Sequence, residues 1–229
     1  MVQKLRREAA KLKGEIVSIS NSSDPYPNLE AETRLTRKCL EILSDCSCKI
    51  QIITKSSLVV RDIDLLKKVP SMVALTVTTD NDATAKIIEP YAPPSSQRLE
   101  AIKMLTHMGV ATSVRIDPVI PFVNDDPEKL VRKLASFGVR HITSSTYKVR
   151  PDNWQRFSAA LPEIAAKLKP LYFDRGEKVA GYVLLPGHLR LALMERIRSL
   201  AEKENVRFGA CRERLSHMNT GICDGSWML

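Results

Sequence analysis

The chain has 229 residues, a formal net charge of +9, 44% hydrophobic residues and only 5% aromatic residues. That length suits one α/β barrel or two small domains, and the lack of a Pro/Gly/Ser-rich linker or composition break points to one domain with an aliphatic core. No apolar run approaches the roughly 20 residues of a membrane span and the first residues hold no apolar signal core, so a soluble, cytoplasmic protein with no membrane partner is expected.

In chain order, 2–12 reads as a basic amphipathic helix closed by Gly14, and 16–20 as a strand that runs into the rigid loop Ser23-Asp24-Pro25-Tyr26-Pro27. A helix over 29–43 leads to a strand at 50–54, and a helix over 61–68 leads to a strand at 72–78. A short helix from Asn81 to Ile88 stops at Pro90, and Pro93-Pro94-Ser95 opens the next, 96–107, which ends at Gly109. The strand 111–117 runs into Pro118, a helix over 127–136 ends at Gly138, and a strand covers 140–145. Helix 152–168, a glycine-containing stretch 172–183, helix 188–203 and a strand near 206–209 precede a cysteine-containing tail.

Strands alternating with helices imply a parallel sheet whose strand C-terminal ends share one face, where such folds bind ligands. Here five strands end in polar bursts, among them Thr54-Lys55-Ser56, Thr78-Thr79-Asp80 and Arg115-Ile116-Asp117. Helix N-capping accounts for many of these Ser, Thr and Asp residues, but not for Lys55 or Arg115. Arg115 and Asp117 alternate with apolar neighbours on one strand, so a charged pair aimed into a barrel needs compensation from each other or from a ligand.

The positive charge is compatible with nucleic acid as a partner, although much of it falls on helix surfaces such as Lys4-Leu5-Arg6-Arg7, and the aromatics among the basic residues are too few for an obvious stacking platform. Five cysteines, an odd number, suggest reduced thiols. Cys39 reads as core. Cys46-Ser47-Cys48 is a C-x-C pair that does not complete a metal site. Cys211 and Cys223 bracket His217, with Asp224 directly after Cys223, and together these residues could hold zinc or an iron–sulfur centre. His107 and His141 read as partly buried or capping histidines.

The ordered set Ser23-Asp24-Pro25-Tyr26, Ile53-Thr54-Lys55-Ser56, Ile88-Glu89-Pro90 with Pro93 and Arg98-Leu99-Glu100-Ala101, and Arg115-Ile116-Asp117-Pro118 resembles the radical S-adenosylmethionine superfamily, in the branch like spore photoproduct lyase. The resemblance covers about residues 1 to 150. It implies an incomplete parallel (β/α) barrel, here of about five to six strands, that binds S-adenosylmethionine at its strand ends. Residues 151–229 would add the remaining helices and a C-terminal extension within the same compact domain. In such enzymes a four-iron four-sulfur cluster reductively cleaves the cofactor, and the resulting radical abstracts hydrogen from substrate.

The family holds that cluster with C-x-x-x-C-x-x-C in the loop after the first strand, and this sequence has no such motif. The chain opens with what looks like the following helix. The expectation is therefore an N-terminally truncated enzyme that lacks the first strand and the cluster loop and is inactive as given. The alternative is a non-catalytic βα-barrel binding or regulatory protein that lost its cluster. A phosphate-binding barrel enzyme using Lys55 and Arg115 lacks the expected glycine-rich loop.

By resemblance, Ser23 and its neighbours receive the cofactor's amino group and Lys55 faces its carboxylate. Thr76 contacts the ribose, with Thr78 as the alternative. Asp24 adds a counter-charge or caps the following turn. Glu89 reads as structural, paired with Arg98. An open sheet edge should be covered by the tail or by a second copy of the chain.

Overall fold

A computed structural model describes residues 2–20 and 22–229 of the chain. Six strands form one parallel sheet, β1 (Ile16–Ile19), β2 (Lys49–Thr54), β3 (Ser71–Thr76), β4 (Ala111–Val119), β5 (His141–Thr146) and β8 (Arg207–Ala210), in the order β1-β2-β3-β4-β5-β8. It is the open, parallel arrangement expected of an incomplete (β/α) barrel. Between β5 and β8 the chain makes a two-stranded antiparallel hairpin, β6 (Glu177–Val179) and β7 (Tyr182–Leu184).

The helices are α1 (Val2–Glu8), α2 (Glu30–Thr33), α3 (Leu35–Leu43), α4 (Ile63–Leu66), α5 (Asp82–Ile88), α6 (Ser95–His107), α7 (Glu128–Ser136), α8 (Pro151–Ala160), α9 (Pro162–Phe173) and α10 (Gly187–Lys203). Three differ from the sequence pattern. The helix expected over 29–43 is cut by Arg34, which is left-handed at φ 52°. The one expected from 61 begins as a tight turn, Ser57–Asp62, with the Ser56 side chain accepting from Leu58 N. The one expected over 152–168 is two helices, because Pro162 disfavours helical backbone at Leu161, which sits at φ −136°, ψ 63°.

Strand alternation divides the sheet into two chemically distinct faces. Ile50, Ile52, Val73, Leu75, Val114, Ile116, Ile142 and Phe208 are fully buried against the helices, each contributing on the order of 1.5–3 kcal/mol. The opposite, concave face carries Ser18, Gln51, Thr76, Ser113, Arg115, His141 and Thr143, one residue out of step with the apolar set.

The tail closes this concave face at the N-terminal ends of the strands. Gln51 Nε2 donates to Asp224 O (3.1 Å), Thr143 Oγ1 to Cys223 O (2.7 Å), and Trp227 Nε1 to His141 Nδ1 (3.2 Å). Gly209 and Gly225 permit that approach. A Cβ on Gly209 would lie 2.6 Å from Cys223 Cα, and one on Gly225 would lie 3.1 Å from Met72 Cε. The tail also covers the β8 edge: Thr220 N donates to Phe208 O, Phe208 N to Thr220 Oγ1 and Ala210 N to Asn219 Oδ1. The other edge, β1, leaves Ile16 47% exposed.

Candidate active site

At the strand C-terminal ends the loop after β1 is held by a dense polar network. The Asp24 carboxylate accepts from Tyr26 N (2.9 Å), Thr54 Oγ1 (2.6 Å) and Lys55 N (2.7 Å). Of the two roles open to Asp24, the geometry is that of a cap, tying the loop to the end of β2. Tyr26 donates to the fully buried Asp62, which also pairs with Arg37 and Arg61 at 2.9 Å each. Burial, then Asp62, push the Tyr26 phenol far above its ordinary value, so it stays a protonated donor.

Glu89 is the hub of the next cluster. It accepts from Thr78 Oγ1 (2.8 Å) and Arg98 Nη1 (2.9 Å), and Lys55 Nζ lies 2.7 Å from its other oxygen. Burial opposes its charge, but Lys55 and Arg98 outweigh that and hold the carboxyl below its ordinary value. Lys55, Glu89 and Asp24 thus meet around one cleft of about 310 Å³, lined also by Tyr26, Tyr91 and Pro93, and Thr78 is tied to it through its bond to Glu89. Ser23 does not join them. It is exposed, and its carbonyl accepts from Ser20 Oγ (2.7 Å); its neighbour Asn21 lies outside the described residues.

Deeper on the concave face, Arg115 Nη2 meets Asp117 Oδ2 at 2.6 Å, and Ser145 Oγ donates to Asp117 Oδ1 at 2.5 Å. Burial works against the Arg115 cation, yet Asp117 and Cys211 outweigh it and raise its pKa. The pair compensates itself. Thr76 sits beside Arg115 in strand register, buried, with its carbonyl held by Arg98 Nη1 (2.9 Å). Arg115, Asp117 and Ser145 border a cavity of about 600 Å³ lined also by Ser18, Gln51, Lys148, Cys211 and, from the tail, Asp224 and Ser226, within the range of small-molecule sites; Thr76 does not line it. Lys148 is balanced at 2.7 Å by the buried Glu213, which also accepts from Thr146 N (2.8 Å).

The sequence pattern places Ser145 only within a polar strand end, singles out neither Gln51 nor Lys148, and offers Glu89 only as a partner for Arg98. The parity of Gln51 with Ile53 and Lys55 along β2 was the available signal for Gln51. The pattern also passes over a second cleft of about 520 Å³ beside the hairpin, lined by Trp154, Phe173, Tyr182, Arg150 and Lys178, where Arg150 lies 4.9 Å over the Tyr182 ring. These residues are dispersed in sequence and meet only because β6–β7 folds back on α8 and α9.

A model of the Radical SAM superfamily matches residues 1–134. The chain belongs to that superfamily. It is 33% identical over 187 residues to the uncharacterized protein ORF301 of Acidianus two-tailed virus, covering 78% of this chain and 61% of that one. Its fold is similar to spore photoproduct lyase complexed with dinucleoside spore photoproduct (TM-score 0.68, 12% identity, 90% of this chain and 65% of that one). It is also similar to SuiB of Streptococcus suis bound to S-adenosylmethionine (TM-score 0.60, 14% identity, 94% and 45%). The chain spans less than two thirds of the length of each of these three proteins.

Superfamily membership implies S-adenosylmethionine and a four-iron four-sulfur cluster. The concave donor set of hydroxyls, an amide and a balanced Arg–Asp pair fits a zwitterionic nucleoside. The thiols do not fit a cluster: among the described residues no three Cys, His, Asp or Glu side chains come together as a ligand set, and Cys211, His217, Cys223 and Asp224 do not assemble into one. Cys46 and Cys48 lie before β2, at the end of the sheet away from Lys55.

Proposed function

We propose that this chain is the cofactor- and substrate-binding barrel of a radical S-adenosylmethionine enzyme, with Ser23, Asp24, Lys55, Thr76, Thr78, Arg115 and Asp117 arranged around the cofactor. The observation that carries this reading is the coincidence of the superfamily match with a polar concave face at the C-terminal ends of a parallel sheet. When bound and reductively cleaved, S-adenosylmethionine supplies a radical that abstracts hydrogen. The chain's own residues hold and orient it. Asp24 fixes the loop that presents Ser23. Lys55, whose side chain is 44% exposed, is free to leave Glu89 for the cofactor's carboxylate, because Glu89 keeps Arg98 and Thr78. Arg115 and Asp117, already neutral as a pair, offer both donor and acceptor without an uncompensated charge.

With no cluster ligands among these contacts, binding rests on hydrogen bonds of about 0.5–1.5 kcal/mol each and one screened ion pair. Set against association costs of several kcal/mol, the affinity should be about millimolar. Calorimetric titration with S-adenosylmethionine or S-adenosylhomocysteine tests this. Lys55→Ala should weaken binding without unfolding the chain. Absence of binding, or tight binding indifferent to Lys55→Ala, overturns the site.

A nucleic acid is the substrate class we propose for this enzyme. The support is the formal net charge of +9 together with the hairpin cleft, where aromatic faces and the Arg150 and Lys178 cations combine the two elements of single-strand binding, stacking and phosphate attraction.

A further inference from the structure

We propose that Cys46 and Cys48 are a reversible dithiol–disulfide pair, oxidised by low-molecular-weight disulfides at the end of the fold opposite the candidate active site. Their sulfurs are 3.2 Å apart, and both thiols donate to one acceptor, Leu43 O, at 3.2 and 3.4 Å. What brings them together is the intervening Ser47, held at φ 53° in the left-handed region that L side chains rarely adopt. The visible result of that conformation is to bring the two flanking thiols onto the same side of the chain. Access is provided by a cleft of about 560 Å³ between α1 and α3, lined by Val2, Arg6, Ala9, Lys38, Glu41 and Cys46. It reaches Cys46 but not Cys48, which is fully buried.

The two thiols therefore divide the work. Burial, then the adjoining Cys46 sulfur, push the Cys48 thiol up to about 12, which leaves it protonated. Cys46 gives its proton to water, and its sulfur attacks one sulfur of the incoming disulfide, displacing the first small thiolate. The Cys48 sulfur then attacks Cys46, breaking the mixed disulfide, and the Cys48 proton passes to the second small thiolate as it leaves. In sum the protein dithiol is oxidised by two electrons, the small disulfide is reduced to two thiols, and one sulfur–sulfur bond replaces another. The ring closed spans a single intervening residue, so little chain entropy is lost from the unfolded state and the bond adds little stability. A bond of that kind is a reversible modification rather than a structural staple.

The test uses the whole chain incubated with oxidised glutathione, alkylated and digested with trypsin. Cys39, Cys46 and Cys48 all fall in one tryptic peptide, 39–49. The expected product is that peptide lighter by two hydrogens, with one alkylated thiol, at Cys39, and full recovery of three on treatment with dithiothreitol. Cys48→Ala should stop at a glutathione adduct on Cys46. Three alkylated thiols after oxidation, or a disulfide that includes Cys39, overturns the proposal. So does an adduct confined to Cys211 or Cys223 in the wild-type chain, a result that needs no variant to fold.

Discussion

His141 makes the stability of this protein pH-dependent in a window where few side chains titrate. Its ring is fully buried on the concave face, with Nδ1 accepting from Trp227 Nε1 at 3.2 Å and Nε2 3.5 Å from Cys223 O. That arrangement requires the neutral tautomer with its proton on Nε2, since a protonated Nδ1 cannot accept from Trp227. Burial is the main reason its pKa falls from 6.5 to about 4. Between those values the unfolded chain binds a proton and the folded chain does not, so stability is fully present above about pH 6.5 and is lost as pH falls towards 4. The shift integrates to about 3 kcal/mol. The carboxyls of Glu30, Asp64 and Glu89 are held below their ordinary values, so their contributions are lost lower still. Urea midpoints at pH 7, 6 and 5, at constant ionic strength, should fall in the wild-type chain. In His141→Gln, which gives up the bond to Trp227 but cannot be protonated, the midpoint should start lower and fall less. Parallel decline of the two proteins would show that His141 is not the titrating group.

The Lys55–Glu89–Arg98 cluster should respond unequally to its two cations. Lys55→Ala removes a partner that is 44% exposed and should cost about 1 kcal/mol or less, whereas Arg98→Ala leaves Glu89 buried beside an emptied site and should cost about 3–5 kcal/mol, both read by denaturant midpoint. Gly209→Ala drives a Cβ into the backbone of Cys223 and should cost about 1–3 kcal/mol while exposing the tail to limited proteolysis; unchanged protease resistance would count against the tail's packing. In a Trp227→Phe background, Trp154 is the only tryptophan, and oligothymidine should quench its fluorescence in low salt and release it in high salt. Trp154→Ala should weaken oligothymidine binding, measured by anisotropy of a labelled strand, through loss of about 1–3 kcal/mol of stacking.

All six sheet strands were legible in the sequence: β1 to β4 carry runs rich in β-branched apolar residues, and β5 and β8 fall where the alternation of helices and strands calls for one. The hairpin was not. Each of its strands has three residues, too few to show a period, and Gly181 alone does not mark a turn. The breaks at Arg34 and Leu161 were passed over because apolar periodicity runs through both, although Pro162 was a readable cause of the second. In the site, the charged pair Arg115–Asp117 could be read from strand parity. The commitment of Lys55 to Glu89 could not, because the partner lies on the far side of β3. His141 read only as a partly buried or capping histidine, whereas it is fully buried. Its burial depends on Trp227, 86 residues away, and no local pattern reports that contact.

An open sheet has no closure condition to set its curvature, so something other than strand count must fix its radius. Here the tail segment around Cys223 to Trp227 touches β2 through Gln51, β3 through Met72, β4 through Ser113 and β5 through His141 and Thr143, and so spans the arc as a chord. Gln51 and Asp224 are 173 residues apart, making this a tie that can form only after the sheet exists. A chord fixed at one end of twisted strands limits how far their other ends can splay, and those other ends carry Lys55, Thr78 and Asp117. The width of the candidate site's mouth is therefore tied mechanically to a segment that also lines the concave cavity through Asp224 and Ser226. A substitution at Trp227, which holds His141 and does not line that cavity, should alter the shape of the mouth without touching a ligand.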